Sequence, residues 1–74
     1  MAEAIEIIVD SSYQNLKGKL ISDLRLDENI NIPALKRGES VLMAHSDTEI
    51  HDEDHLIVFY KDKEVIDNFY NTFR

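Results

Sequence analysis

Residues 25–37 read Arg-Leu-Asp-Glu-Asn-Ile-Asn-Ile-Pro-Ala-Leu-Lys-Arg, and the fold turns on whether this stretch is helix or strand. Asp27-Glu28-Asn29 breaks the apolar spacing that precedes it. Pro33 has no N–H to give to a ladder and pushes Ile32 toward extended geometry, so residues 30–37 are expected as an edge-like strand. On that reading Lys36 and Arg37 blunt an exposed strand edge. The stretch opens on one cation and closes on two in an acidic chain. Between them lie two asparagines and several aliphatic residues, a mixture of anion-binding, edge-reading and apolar groups.

On the C-terminal side, Gly38-Glu39 separates this strand from a second at Ser40–Ala44, which suggests a hairpin. Residues 45–54 are polar apart from Ile50 and are expected as a loop. Leu56 to Tyr60 is continuously apolar, as in a central strand covered on both faces. Asp62 is placed as an N-cap, with Glu64 in the first turn near the positive end of the helix dipole. Ile66, Phe69, Tyr70 and Phe73 then recur at i, i+3, i+4 and i+7 along a closing helix.

On the N-terminal side, Ala4–Val9 is rich in β-branched residues and puts Ile5, Ile7 and Val9 on one alternating face of a strand. Asp10-Ser11-Ser12 is a turn or cap. Leu16, Leu20 and Leu24, with Ile21 beside them, form the stripe of a short helix. Gly18 costs that helix about 1 kcal/mol against alanine, so the regular turns are expected to start there. The order is β-α-β-β-β-α, an α+β fold in one domain spanning residues 1–74.

A chain of 74 residues has a small core, and pairing with a second copy is the natural way to bury more apolar surface. The absence of cysteine excludes disulfides and thiolate metal sites and fits a reducing cytosol. No apolar run reaches membrane-spanning length and no signal-peptide layout is present, so a soluble segment is expected. The formal charge of −7 argues against DNA, RNA or anionic membranes as partners; an anionic ligand would need a local cationic cluster.

No nucleophile constellation, phosphate-cradling loop or dinucleotide fingerprint stands out, and two glycines leave little room for one; an enzyme is not expected. The densest polar group is His45, Asp47, Glu49, His51, Asp52, Glu53, Asp54 and His55. His51 and His55 would converge on a metal only in a helix, and neither the zinc-protease glutamate nor a calcium-loop glycine is in place. This run reads as a solvated turn, with divalent-metal sensing through His51 and Asp54 as the alternative.

Gly18-Lys19-Leu20, then Asn29-Ile30-Asn31-Ile32-Pro33-Ala34-Leu35-Lys36-Arg37-Gly38, then Ile50-His51-Asp52-Glu53-Asp54-His55-Leu56-Ile57-Val58 together resemble the C-terminal domain of regulator-of-conductance-of-potassium proteins, the TrkA-C domain. The family pattern is a Gly-Lys-x-Leu helix start, an Ile-x-Ala-Ile-x-Arg-Gly strand and hairpin, and an acidic x-Asp-x-Leu turn into an apolar strand. The resemblance covers residues 4–73. It implies a cytoplasmic homodimer that sits on, or is fused to, a potassium channel, potassium transporter or cation/proton antiporter at the inner face of the membrane. Members in Gram-positive bacteria bind cyclic di-AMP in the cleft between two such domains. In those members an Arg, followed six residues later by Asn-Ile, contributes to the pocket, and Arg25, Asn31 and Ile32 match. Ala44 and His45 fall where further pocket residues lie, and Leu20 where an apolar wall lies.

These residue types suit such a ligand. Arg25 can present a planar fork of donors to phosphate, and Asn31 has both donor and acceptor for an adenine edge or a phosphate. Leu20, Ile32 and Ala44 can contact purine faces, and His45 can stack or donate. Each also has a plainer role: Arg25 as a helix C-cap, Leu20 and Ile32 as core, His45 as a surface loop residue. A ligand-free dimerisation module would need only the Leu56–Tyr60 strand and the Phe69/Phe73 face. Two departures from the family stand out. The usual N-terminal nucleotide-binding domain does not precede these residues, which leaves a fragment, the tail of a fusion or a stand-alone domain. Pro33 replaces the commoner aliphatic residue, which could alter edge pairing.

Overall fold

In the computed structural model, which describes residues 2–74, Ile5 and Ile7 turn inward from exposed neighbours along strand β1 (Glu3–Ile8), and Val9 follows them into the core. The other strands are β2 (Ile30–Arg37), β3 (Ser40–Met43) and β4 (His55–Tyr60), and helix α1 (Lys63–Phe73) closes the chain. They form one antiparallel sheet in the order β1-β4-β2-β3. The α+β class and the interior position of β4 are as the sequence indicates, but β4 is covered on one face only: Leu56 and Val58 are buried, whereas Phe59 is 46% exposed. One sheet face, through Ile7, Ile30, Ile32, Leu35, Leu56 and Val58, packs with Leu16, Leu24, Ile50 and the Ile66, Phe69 and Phe73 stripe of α1.

β2 is not an edge strand. It pairs with β4 on one side and β3 on the other, and Pro33 is tolerated because the sheet bulges there. Asn31 faces Phe59 and Ala34 faces Ile57, so Ile32 and Pro33 together oppose Val58. The extra residue shifts the alternation, so Ile30 and Ile32 before the bulge share a buried face with Leu35 after it. Pro33 also explains where β3 stops. Ala44 N–H donates to the Pro33 carbonyl at 2.9 Å, but Pro33 has no N–H to return, and the strand ends at Met43 rather than at Ala44.

The stripe at Leu16, Leu20 and Leu24 does not become an α-helix. It folds as turns and two short 3₁₀ segments, Ser11–Tyr13 and Ile21–Leu24. Gly18 adopts φ +78°, and the backbone donors a helix would use go elsewhere. Gly18 N–H reaches the Ile50 carbonyl, Ile21 N–H that of Thr48, and Ser22 N–H that of Ser46, at 2.8–3.0 Å. A long-range ladder with residues 46–50 replaces the i−4 bonds. Asp62 caps α1 as expected, accepting from Val65 N–H at 3.1 Å.

Gly38-Glu39 joins β2 to β3 with φ +61° at Gly38. Glycine first in a two-residue loop, without positive φ at Glu39, fits a type II′ turn. A Cβ at Gly38 would meet nothing within 4 Å, so its cost is purely torsional. Gly38→Ala is therefore expected to lower unfolding free energy by about 1–2 kcal/mol with no change in denaturant m-value, measured by urea titration.

Candidate ligand-binding site

Backbone hydrogen bonds link the segments that carry Leu20, Arg25, Ala44 and His45, while Asn31 and Ile32 lie on β2. Ala44 is bonded to Pro33 next to Ile32, and His45 N–H donates to Thr48 Oγ1 at 2.8 Å, closing the 45–48 turn. That turn accepts from Ser22 N–H at Ser46, and Ser22 in turn accepts from Arg25 N–H at 3.4 Å. Leu20 lies opposite Glu49 in an isolated bridge, its N–H held by the Asp23 carboxylate at 2.9 Å. Leu20 and Ala44 are half-buried. Ile32 is 1% exposed, so its side chain belongs to the core and only its backbone could meet a ligand.

Arg25, Asn31 and His45 are exposed. Arg25 closes the second 3₁₀ segment in the left-handed region, φ 49° and ψ 53°, where a side chain costs about 1–2 kcal/mol against glycine. The capping geometry and the exposed guanidinium coexist. Of three arginines, Arg37 is bound to Asp54 and Arg74 to Tyr13 and the Tyr70 ring. Of three histidines, His51 is paired with Glu49 and His55 with Glu6. Among the described residues the side chains of Arg25, Asn31 and His45 have no such partner. Arg25 and Asn31 line separate open clefts, each of about 270–280 Å³; the first is walled by Leu24, Ile30, Phe69 and Phe73, the second by Phe59 and Tyr60. Leu20, Ile32, Ala44 and His45 line neither.

The acidic run at 45–55 is not a solvated turn throughout. Ile50 and Asp54 are buried, Asp54 at 1% exposed. Arg37 does not blunt an edge: its Nε and Nη2 donate to Asp54 Oδ1 and Oδ2 at 2.9 and 2.8 Å, and Nη2 also reaches the Glu49 carbonyl at 2.9 Å. Lys36, between two paired strands, guards no edge either. His51 N–H adds a third bond to Asp54, at 2.8 Å. Both carboxylate oxygens are thus engaged by the chain itself, and among the described residues no three His, Cys, Asp or Glu side chains converge on a cation position. Burial pushes the Asp54 carboxyl up, but the hydrogen bonds from Arg37 and His51, with the Arg37 charge, outweigh it and hold the group below the ordinary carboxylate range. Sequence reasoning missed this contact. Its signal was an Arg-Gly at the hairpin and an Asp two residues before the apolar strand, the two family motifs that meet here. Phe69 and Phe73, at 4% and 8% exposed, pack in their own core and offer no dimerisation face.

A model of the TrkA-C domain family matches residues 4–74. The Trk system potassium uptake protein TrkA of Vibrio alginolyticus is 39% identical over 88% of this chain, and the chain spans 15% of that protein's length. Among solved structures, the RCK C domain of the potassium transport protein KtrA in complex with cyclic diadenosine monophosphate superposes with TM-score 0.78, at 22% identity, over 96% of this chain and 82% of that one. The RCK_C domain dimer of S. agalactiae BusR with c-di-AMP gives TM-score 0.67 at 21% identity, over 93% and 96%. At these identities the two structures establish a shared fold.

Because Asp54 is depressed in the fold, its contribution to stability is complete above the unfolded carboxylate pKa of about 4 and fades as pH falls through the folded value. Asp54→Asn should be less stable than the parent at pH 7, and the gap should narrow below about pH 4 in pH-dependent urea titrations. Arg37→Ala, which strands the buried carboxylate, should cost about 3 kcal/mol at pH 7.

Proposed function

This chain belongs to the TrkA-C domain family, and from that premise we propose that it is the regulatory ligand-binding part of a potassium or cation/proton transport system, acting on the cytoplasmic side of the membrane. It works as a homodimer that takes one cyclic di-AMP across its two-fold axis. A symmetric dinucleotide suits an isologous interface because each half meets the same residues. A ligand that favours one subunit arrangement then biases the attached transporter by its differential affinity.

The observation that carries this reading is the selective lack of partners at Arg25 and His45. The other arginines and histidines are engaged within the chain, whereas these two are left for something else. Arg25 keeps a long cation where glycine would relieve the backbone, which is the pattern of a residue retained for binding. Arg25 would clamp a phosphate, Asn31 read an adenine edge or a phosphate, and His45 stack or donate. Leu20 and Ala44 would supply apolar contact, and Ile32 its backbone. The solved RCK_C relatives that carry c-di-AMP support the ligand class.

A second reading, a dimerisation module that binds no ligand, is favoured by the large apolar residues Ile8, Val41, Met43 and Phe59 left exposed on the strands. Isothermal calorimetry with cyclic di-AMP separates the two. The proposal predicts one ligand per dimer. Arg25→Ala should weaken binding by about 10–100-fold, the loss of one charge-assisted contact, with unfolding free energy within about 0.5 kcal/mol of the parent. Arg25→Gly should also lose affinity while gaining about 1 kcal/mol in stability. No heat at high micromolar ligand, or unchanged affinity in Arg25→Ala, contradicts the proposal.

A further inference from the structure

Strand β1 is an edge of the sheet, with β4 on one side and, among the described residues, no strand on the other. Val9 N–H donates to the Asp54 carbonyl at 2.8 Å, which continues the β1–β4 ladder and sets its phase. Glu3, Ile5 and Ile7 therefore turn their backbone groups toward β4, and Ala4, Glu6 and Ile8 turn theirs outward. Among the described residues only the Ile8 carbonyl finds a backbone partner there, the Asp10 N–H at 3.0 Å. Beside this edge opens a cleft of about 490 Å³ lined by Ile7, Ser12, Tyr13, Tyr70 and Arg74. The Arg74 guanidinium lies 4.2 Å from the centroid of the Tyr70 ring and donates from Nε to the Tyr13 hydroxyl at 3.1 Å. Its two terminal nitrogens have no acceptor among the described residues.

We infer that the free edge of β1 is a docking site for an extended segment of another protein, which adds a strand antiparallel to β1 and brings an acidic side chain to Arg74. The site shares no residue with Leu20, Arg25, Asn31, Ile32, Ala44 and His45, so it stands or falls independently of the dinucleotide reading.

Three observations select that occupant. The first is the backbone. β1 pairs with β4 in unbroken register and has no proline, lysine or bulge, the usual means of blunting an edge. The second is charge. Glu3 and Glu6 on the strand and Asp10 at its end are exposed and make the edge acidic, although Glu6 also touches His55. Arg74, in the cleft, calls instead for a carboxylate. A partner that meets both has cations on one face and an acid between them on the other, which an extended chain supplies because neighbouring side chains alternate. The third is the poor fit of a second copy. Antiparallel self-pairing that engages Ala4, Glu6 and Ile8 together sets Glu6 against Glu6 of the second copy, between chains that each carry −7.

The test is a nitrogen-15 NMR titration of the chain with the capped peptide Lys-Val-Lys-Glu-Lys-Val-Lys, which can set a lysine against Glu6 and its glutamate beside Ile7. Saturable shifts are expected at Ala4, Glu6, Ile8, Tyr13 and Arg74, with a dissociation constant at or below about 1 mM. N-methylation of the inner lysines, whose N–H groups would face β1, is expected to abolish binding. N-methylation of the valines and glutamate, whose N–H groups would face away, is expected to leave it. Arg74→Gln, or glutamine for the peptide's glutamate, should weaken binding about 10-fold. Ala4→Pro, which removes an outward N–H at a position an edge tolerates, should do so at least as strongly. Binding that survives methylation of the inner lysines is mere attraction of a basic peptide to an acidic chain and overturns the inference. So does the absence of saturable shifts at about 1 mM peptide. Ala4 and Glu6 amides already shielded from hydrogen exchange in the protein alone would mean that a second copy holds the edge, which also overturns it.

Discussion

The two-pronged contact between Arg37 and Asp54 is the constraint on which the rest of this small fold depends. It joins the end of β2 to the turn before β4, and the same turn exchanges backbone bonds with β1's extension: Val9 N–H to the Asp54 carbonyl and Glu53 N–H to the Val9 carbonyl. Arg37 also holds the Glu49 carbonyl, near the end of the 46–50 segment that laces to residues 18–22. An apolar pair of similar volume could hold the corner as strongly, but a planar fork on a carboxylate also fixes direction. The 46–50 ladder next to that corner holds Gly18, Ile21 and Ser22, and Ser22 accepts from the Arg25 N–H.

Much of this was legible in the sequence where the determining interactions are local. Alternation placed β1, an unbroken apolar run placed β4, and the capped apolar stripe placed α1, because these signals lie within a few residues. Gly38 located the hairpin for the same reason. What was not legible is long-range. The Leu16–Leu24 stripe has helical spacing, but its backbone donors are claimed by a loop some 25–30 residues away, so propensity lost to tertiary pairing. Pro33 argued for an edge only while the sheet was taken as regular; a bulge made an interior position possible. Asp54 looked solvated because it closes a run of acids, and nothing local says that one of them turns inward.

The candidate site divides along the same line. The expectation that Arg25, Asn31 and His45 act together came from the spacing shared with a family, not from their chemistry one by one. That Arg25 and His45 are the arginine and histidine left without partners could only be seen once the others had found theirs. Ile32 shows the opposite case: its place in the motif is right, yet its side chain is committed to the core. An acidic chain that neutralises most of its guanidinium and imidazole groups internally can still offer a small cationic niche, and the net charge of −7 then excludes promiscuous anions rather than a specific one.

The most direct measurement of this account is a double-mutant cycle on the central contact. Arg37→Met, Asp54→Leu and the combined variant would be compared with the parent by urea unfolding at pH 7. If the two side chains form the corner as described, the single changes cost more in sum than the pair of changes together, with a coupling energy of at least about 2 kcal/mol. Costs that simply add, within about 0.5 kcal/mol, would contradict it.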